Sequence, residues 1–324
     1  MVLFIVRRAL QAGLVLLAVS LVVFVGLYAV GDPADILLPD DATAAERQAA
    51  VVALGLDRPI WAQYGIFLAN ALQGDLGTSF VYNIPSISLI VQRMPATLEL
   101  ALCAMLIALV VGVPLGLYAG LRPGSRADSA IVTGSILGFS LPNFWQGLML
   151  ILVFSIFLGW LPSSGRGETG TILGVETSLA TWDGIRHLIL PATNLALFKV
   201  ALMIRLTRAQ VRETMPLDFV RFARAKGLGD GRIVGLHVGK TIAAPIVTVL
   251  GMELGSVIAF AVITESIFAW PGMGKLIIDS INNLDRPVVA AYLLVVTFLF
   301  IVINLVVDVL YSLLDPRVRL GRRA

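Results

Sequence analysis

The sequence is poor in the residue types that build metal and redox sites. Its 324 residues include one cysteine, Cys103, and two histidines, His187 and His237. A lone cysteine inside an apolar run excludes a disulfide framework and a thiolate metal centre, and it is typical of a small core residue. A whole apolar stretch separates the histidines. We therefore expect no metal site.

Charged residues are also scarce. They make up 14% of the chain, against 58% hydrophobic residues and a mean hydropathy of +0.90. A soluble domain carries about 25% charged residues, so this composition predicts a polytopic membrane protein. The net charge of +3 comes from arginines beside apolar runs. It indicates membrane topology and gives no reason to expect nucleic acid as a partner.

Catalytic motifs are missing as well. The chain has no GxxxxGK[ST] sequence to cradle nucleotide phosphates. Ser140, Ser155 and Ser256 lie in apolar runs that hold no histidine to activate them. The sequence therefore predicts a protein that is not an enzyme and that binds no cofactor itself.

What the chain has in abundance is long apolar stretches. Six of them can cross a hydrocarbon core about 30 Å thick at about 1.5 Å per helical residue. They predict an all-α, polytopic fold with six transmembrane helices at residues 9–30, 100–121, 131–158, 188–204, 242–267 and 288–314. The fourth is the weakest, because it is short and carries Lys199.

Arginines mark alternate connections between these stretches. They occur before the first, after the second, after the fourth and in the tail. Positive residues near short loops stay in the cytoplasm, so both termini are predicted to be cytoplasmic. The predicted domains are an N-terminal transmembrane helix (1–31), an extracytoplasmic helical lid (32–95), a transmembrane domain (96–315) and a cytoplasmic tail (316–324).

The predicted lid contains two short helices, at 42–54 and 60–73. Trp61, Tyr64 and Leu72 repeat at helical spacing in the second helix, which a glycine-rich turn from Gly74 ends. From periodicity alone the lid is a packing cap over the helices. The alternative is a docking surface for an external partner.

The connection after the fourth stretch, from 217 to 241, is basic and rich in glycine. Its apolar residues recur at helical spacing, so short amphipathic helices outside the membrane are expected. Asp230 is the expected N-cap of the second helix. Pro245 is expected in the first turn of the next span, where proline is tolerated. The loop binds either anionic headgroups, on charge alone, or a protein pocket that receives Phe219 and Phe222.

Ionisable residues inside the apolar stretches raise a second hypothesis. Glu253, Glu265, Asp308 and Lys199 lie there, and intramembrane charges mark ion or proton pathways in secondary transporters. Glu253 is the deepest and is the candidate residue on a translocation path. The structural alternative is that these groups pair helices within the bundle.

A set of short motifs resembles one protein family along nearly the whole chain. The segment FARAKGLG at 222–229 is similar to the EAA loop of ABC-transporter permeases of the dipeptide, oligopeptide and nickel importer branch. Further motifs of that branch follow in the right order: GLDRP at 55–59, GDLGTS at 74–79, RMPATLEL at 93–100, ESIF at 265–268, WPGMG at 270–274, RP at 286–287 and LDPR at 314–317. The general EAA pattern has glutamate and alanine where this chain has Arg221 and Phe222, a departure typical of the peptide branch.

The resemblance implies a partner and a role for each motif. The loop would be a coupling helix that rests on a cytoplasmic ATPase subunit, formed by Phe219, Arg221, Phe222, Ala223, Arg224, Lys226, Gly227, Gly229 and Pro245. Gly227 and Gly229 would provide a tight turn and left-handed backbone. The implied outer gate turn comprises Trp270, Pro271, Gly272 and Gly274.

The same resemblance implies a complete importer. It would comprise this permease, a second homologous permease, two ATP-binding subunits that hold ATP and magnesium, and an extracytoplasmic solute-binding protein that docks on the lid. The chain would reside in the bacterial inner membrane and import peptides or a related small polar solute.

Overall fold

The computed structural model describes residues 2–29, 43–53 and 57–314 and is helical apart from one hairpin. The α-helices in chain order are α1 (Val2–Ala29), α2 (Ala44–Ala53), α3 (Ile60–Leu72), α4 (Ser86–Ile107), α5 (Val113–Leu121), α6 (Arg126–Ser140), α7 (Asn143–Leu150), α8 (Trp182–Thr214), α9 (Asp218–Ala225), α10 (Asp230–Arg232), α11 (Gly239–Ile267), α12 (Met273–Asn282) and α13 (Arg286–Leu314). π-Helical turns occupy Ala108–Gly112, Ile151–Phe157 and Ile233–Val238, and a 3-10 turn occupies Ser178–Ala180. Strands β1 (Gly170–Ile172) and β2 (Val175–Thr177) pair antiparallel.

Among the described residues, four helical runs are long and apolar enough to cross a membrane. They are Ser86–Leu121, Trp182–Thr214, Asp230–Ile267 and Arg286–Val307. A fifth candidate is α6 followed by Asn143–Phe157, two segments that meet at an angle of 103°. The apolar part of α1, Leu10–Gly26, is shorter. The all-α fold is confirmed, whereas the count of six spans stays a prediction.

Three predicted spans differ from the structure. The second helix begins at Ser86 and contains Pro95. The third, predicted as one span at 131–158, is divided in two, because Leu141 has extended backbone before Pro142 and the proline ring disfavours a helical residue ahead of it. The fourth, predicted short, runs 33 residues as α8. Its charge at Lys199 is paired, so the charge does not end the helix.

The chain divides into two compact units. The first comprises residues 1–94 and 272–302, within which α3 packs on α1. Tyr64 lies 2.9 Å from the Ser20 hydroxyl and edge-on to Phe24. Trp61 and Leu72 are largely exposed. Residues 32–42 of the predicted lid and the predicted tail, 316–324, lie outside the described residues.

The first unit also contains two polar anchors. The backbone N–H and the hydroxyl of Thr43 both donate to the Glu46 carboxylate at the start of α2. These bonds hold the pKa of Glu46 below its usual range. Ser79 and the N–H of Phe80 donate to the buried carboxylate of Asp285, at 2.5 and 3.1 Å. The second anchor fixes the segment before α4 to the turn between α12 and α13.

The second unit comprises residues 95–271 and 303–324. The helical run that ends in α5 packs closely on α8 along Gly112, Gly116 and Gly120. A Cβ at Gly116 would lie 2.6 Å from the carbonyl oxygen of Ile204. The three glycines recur every fourth residue, which places them on one helix face and lets the backbones approach.

A buried ion pair holds α6 against α8 in the same unit. Asp128, which is buried, receives two hydrogen bonds from Arg208, at 2.6 and 2.9 Å. The N–H of Gly124 donates to the same carboxylate, and Ser125 caps α6 by accepting from the Asp128 N–H. This bidentate geometry fixes the start of α6 beside the end of α8 that leads into the basic loop.

Candidate functional site

The basic loop at 217–241 folds as a helix, a turn and a second helix. One face of α9 is buried, because Val220 and Ala223 join an apolar cluster with Val211, Ile233 and Val238. The predicted helical spacing is therefore confirmed. Ala223, which the motif includes in the coupling helix, packs inside its own unit.

The turn after α9 depends on one glycine. Gly227 has a φ of +77°, its N–H donates to the carbonyl of Arg224, and the N–H of Leu228 donates to that of Ala223. These two bonds make a Schellman C-cap, which favours glycine at the left-handed position. Gly229 has a φ of −66° and ψ of 149°. The prediction of left-handed backbone is thus confirmed for Gly227 and wrong for Gly229.

The outer face of α9 carries the remaining predicted residues. Phe219 and Phe222 are 40% and 62% exposed. The Lys226 ammonium lies 4.6 Å from the centre of the Phe222 ring. The side chains of Arg221 and Arg224 are exposed and lie 3.8 Å from Asp218 and 3.5 Å from Asp230. We call Phe219, Arg221, Phe222, Arg224 and Lys226 the aromatic–basic surface.

Two expectations about the loop are wrong. Gly229, not Asp230, is the N-cap of α10, and no side chain caps it. Asp230 faces Arg224 instead. Pro245 lies inside α11, well beyond its first turn, because the π-helical turn Ile233–Val238 joins α10 and α11 into one run. Pro245 is therefore not part of the aromatic–basic surface.

The WPGMG segment begins in a packed turn at the end of α11. Trp270 is fully buried and its indole N–H donates to the carbonyl of Ala96 at 2.9 Å. The backbone N–H of Trp270 donates to the carbonyl of Glu265. Gly272 has extended backbone as the N-cap of α12, and Gly274 is buried while Pro271 is half-buried. The predicted turn forms, and a gating role for it stays a prediction.

A buried ion pair beside this turn was not predicted. Arg166 donates to Glu99 at 2.5 Å, and the other carboxylate oxygen of Glu99 accepts from the N–H of Ser178. The Arg166 guanidinium lies 5.8 Å from the Trp270 ring. The sequence held one indication of this pair, because Glu99 lies at the edge of an apolar run and a carboxylate there needs a partner. Its partner, 67 residues away, could not be identified from spacing.

Two of the charges inside the apolar helices pair with each other. Lys199 of α8 contacts Glu253 of α11, and both bind the Ser256 hydroxyl. Their side chains are 8% and 25% exposed. Glu265 is fully buried and accepts from Thr97 at 2.6 Å. The side chain of Asp308 lies outside the described part of the structure. The arrangement favours the structural role for Glu253, whose place on a translocation path stays a prediction.

Family models match most of the chain. Residues 112–320 match the binding-protein-dependent transport system inner membrane component, and residues 1–101 match the N-terminal part of the corresponding membrane component. The fold is similar to that in inward-facing crystal structures of the MetNI methionine ABC transporter. One such structure has a TM-score of 0.55 and 16% identity, and the match covers 70% of this chain and 96% of that one.

Curated relatives are similar over nearly their full lengths. The di/tripeptide transport system permease protein DppB of Pseudomonas aeruginosa is 40% identical over 89% of this chain and 90% of its own. The dipeptide transport system permease protein DppB of Escherichia coli K12 is 38% identical over 98% of both. The oligopeptide transport system permease protein AppB of Bacillus subtilis is 38% identical over 97% of this chain and 98% of its own.

Proposed function

Because the chain belongs to the family of binding-protein-dependent transport system inner membrane components, we propose that it forms the transport pathway of an ATP-driven importer of dipeptides or oligopeptides. It is a multi-pass permease subunit and not an enzyme. ATP hydrolysis belongs to separate ATPase subunits, which hold ATP and magnesium, and an extracytoplasmic binding protein delivers the substrate.

The observation that carries the coupling role is the aromatic–basic surface of α9. Val220 and Ala223 anchor the helix in its own unit, so the exposed rings of Phe219 and Phe222 are left for another protein. Burying one phenylalanine side chain contributes roughly 1.5–3 kcal/mol. Aromatic anchors ringed by arginine are typical of interface hot spots. The partner is a cytoplasmic ATPase with an apolar pocket and an acidic rim.

The remaining assembly follows from the same proposal. A second homologous permease pairs with this chain and completes the translocation path between them. Both termini lie in the cytoplasm, which the arginine-rich connections support. The binding protein docks on the predicted lid, and the turn at Trp270 and Pro271 is the outer gate. Support for the gate is the hydrogen bond from Trp270 to Ala96, which links the turn to α4.

The experiment truncates one aromatic anchor. Phe222→Ala and the control Phe298→Ala, at a similarly exposed phenylalanine in α13, are each expressed with both ATPases and the second permease. Loss of a hot spot costs about 2 kcal/mol or more, which is roughly 30-fold in affinity. We expect Phe222→Ala to lose ATPase subunits and ATP-driven dipeptide uptake, and Phe298→Ala to keep both. Equal retention by the two variants would refute the coupling role.

The energy source is tested separately in proteoliposomes. Uptake of a dipeptide is measured with internal ATP and a protonophore, and then without the ATPase subunits but with a proton gradient. We expect uptake only in the first case. Uptake that follows the gradient would instead make this an ion-coupled secondary transporter with Glu253 at its centre.

A further inference from the structure

The second unit contains a cavity of about 350 Å³ between α6, α7, α8 and α11. This volume falls within the range of small-molecule sites, roughly 300–1,000 Å³. Phe139, Phe198 and Phe260 are among the apolar residues that line it. Its polar lining residues are Asn143, Gln146, Asn194 and Lys199. An apolar pocket with a few polar groups suits a ligand that has both characters.

The break between α6 and α7 forms one wall of the cavity. The 15 residues of α6 extend about 22 Å, so the break lies within the thickness of a hydrocarbon core. Irregular backbone at that depth occurs inside protein or beside water-filled space. The Gln146 amide donates to the carbonyls of Gly138 and Leu141, at 2.6 and 3.0 Å. The Gln146 amide nitrogen is therefore already used by two carbonyl groups at the break between α6 and α7.

Asn194 has an unused acceptor at the cavity. The residue is 1% exposed, and its amide nitrogen donates to the Thr264 hydroxyl at 3.1 Å. Its Oδ1 accepts no hydrogen bond from the described residues. A buried acceptor without a donor is unfavourable by roughly 1–3 kcal/mol. An N–H group of a bound molecule would satisfy it.

Lys199 provides a donor at the same cavity. An ammonium group has three N–H donors. Glu253 and Ser256 take two of them, and the third has no acceptor among the described residues. Intramembrane ionisable residues face the protein interior or a water-filled cavity and not lipid. The cavity therefore lies beside charge, which favours a polar ligand over an acyl chain.

Asn194 and Lys199 line the same cavity from one helix, α8. They are five residues apart, an axial rise of about 7.5 Å, and two extended residues of a peptide span about 7 Å. A dipeptide that lies along α8 would place an N–H near Asn194 and its carboxylate near Lys199. Its side chains would then contact Phe139, Phe198 and Phe260.

We propose that this cavity is a transit site for dipeptides, in which Asn194 accepts from a peptide N–H and Lys199 binds the C-terminal carboxylate. The proposal rests on the proposed function and adds a substrate-contacting site within this chain. The site would favour ligands that have a free carboxylate and apolar side chains. An acyl chain has neither the donor nor the anion that the two groups require.

The test measures binding to the complete importer without its binding protein. The probes are Leu-Leu and its C-terminal amide, observed by saturation-transfer difference NMR. Ile263→Trp fills the cavity from a half-exposed lining position, and Met252→Trp is the control at an exposed position on α11 that does not line the cavity. The double variant Lys199→Gln, Glu253→Gln removes the carboxylate site without leaving an unpaired charge. ATP hydrolysis is measured in every sample.

We expect Leu-Leu to bind about tenfold better than its amide, as a charge-assisted bond predicts. Ile263→Trp should abolish binding and Met252→Trp should keep it, while the double variant should bind both probes equally. Equal binding of both probes to the unmodified importer, or a signal unchanged by Ile263→Trp, would overturn the site. Signals from lipid or detergent tails alone would identify an acyl-chain pocket instead. Intact ATP hydrolysis in these cases would leave the proposed function standing.

Discussion

Gly227 offers a test in which backbone conformation is separated from side-chain contacts. Its φ of +77° lies in the left-handed region, and a Cβ built there meets no atom within 4 Å. Gly229 also has open space around a Cβ, but its φ of −66° suits any residue. Valine at the two positions therefore adds the same side chain, with strain at only one of them.

The magnitude follows from the turn. A non-glycine residue held in the left-handed region costs roughly 1–3 kcal/mol, and a β-branched residue lies at the upper end. Relief of that strain requires breaking the two capping bonds, at 2.9 and 3.2 Å, which contribute roughly 0.5–1.5 kcal/mol each. A change of about 2 kcal/mol shifts the equilibrium between the native turn and an open one by roughly 30-fold. Gly227→Val should thus weaken ATPase binding by about 10- to 100-fold.

The assay compares three variants in the assembled importer. Retention of the ATPase subunits and ATP-driven dipeptide uptake are measured for Gly227→Val, Gly227→Asn and Gly229→Val, with membrane abundance as the control for folding. Asparagine tolerates left-handed backbone, so Gly227→Asn should be intermediate. Gly229→Val should stay within about threefold of the parent, since surface changes cost about 0.5 kcal/mol. The reasoning fails if valine has the same effect at both positions.

Two further predictions concern packing in the second unit. Gly116→Ala should lower the free energy of unfolding by roughly 1–3 kcal/mol, because its Cβ would meet the α8 backbone. Gly134→Ala, where a Cβ meets open space, should be neutral or stabilising. Thermal unfolding in detergent measures both variants, and an equal decrease in their stability would refute the close packing. Trp270→Phe removes the indole N–H that donates to the carbonyl of Ala96 and should cost roughly 0.5–1.5 kcal/mol, whereas Trp182→Phe at an exposed tryptophan should not. Equal stability of these two variants would contradict the structural role of the indole N–H.

Local signals in the sequence predicted the helices and the turn chemistry well. The end of α3 at a glycine turn, the amphipathic α9 and the left-handed Gly227 each depend on a few adjacent residues. The direction in which α9 faces was harder to predict. Its aromatic side was correctly expected to be exposed, but the packing of Ala223 in the chain's own core could not be predicted from the motif.

Long-range pairing explains what the sequence did not predict. Lys199 made the fourth span look weak, since its partner Glu253 lies 54 residues away. Glu99 and Arg166 are similarly distant. The apolar run continues through Pro142, so the pattern alone did not predict the angle of 103° between the two segments. The cavity beside Lys199 combines residues of four helices, and no spacing within one helix reveals it.

The pairing of Lys199 with Glu253 has a consequence for how the chain enters the bilayer during synthesis. An unneutralised lysine at the centre of a helix opposes translocon-mediated insertion by about 2.5–3.5 kcal/mol. The helix that carries Lys199 leaves the ribosome well before the helix that carries Glu253. Stable integration of α8 therefore waits for α11, and a nascent chain stopped before Glu253 should insert α8 poorly. The two helices are thus expected to enter the membrane as a pair.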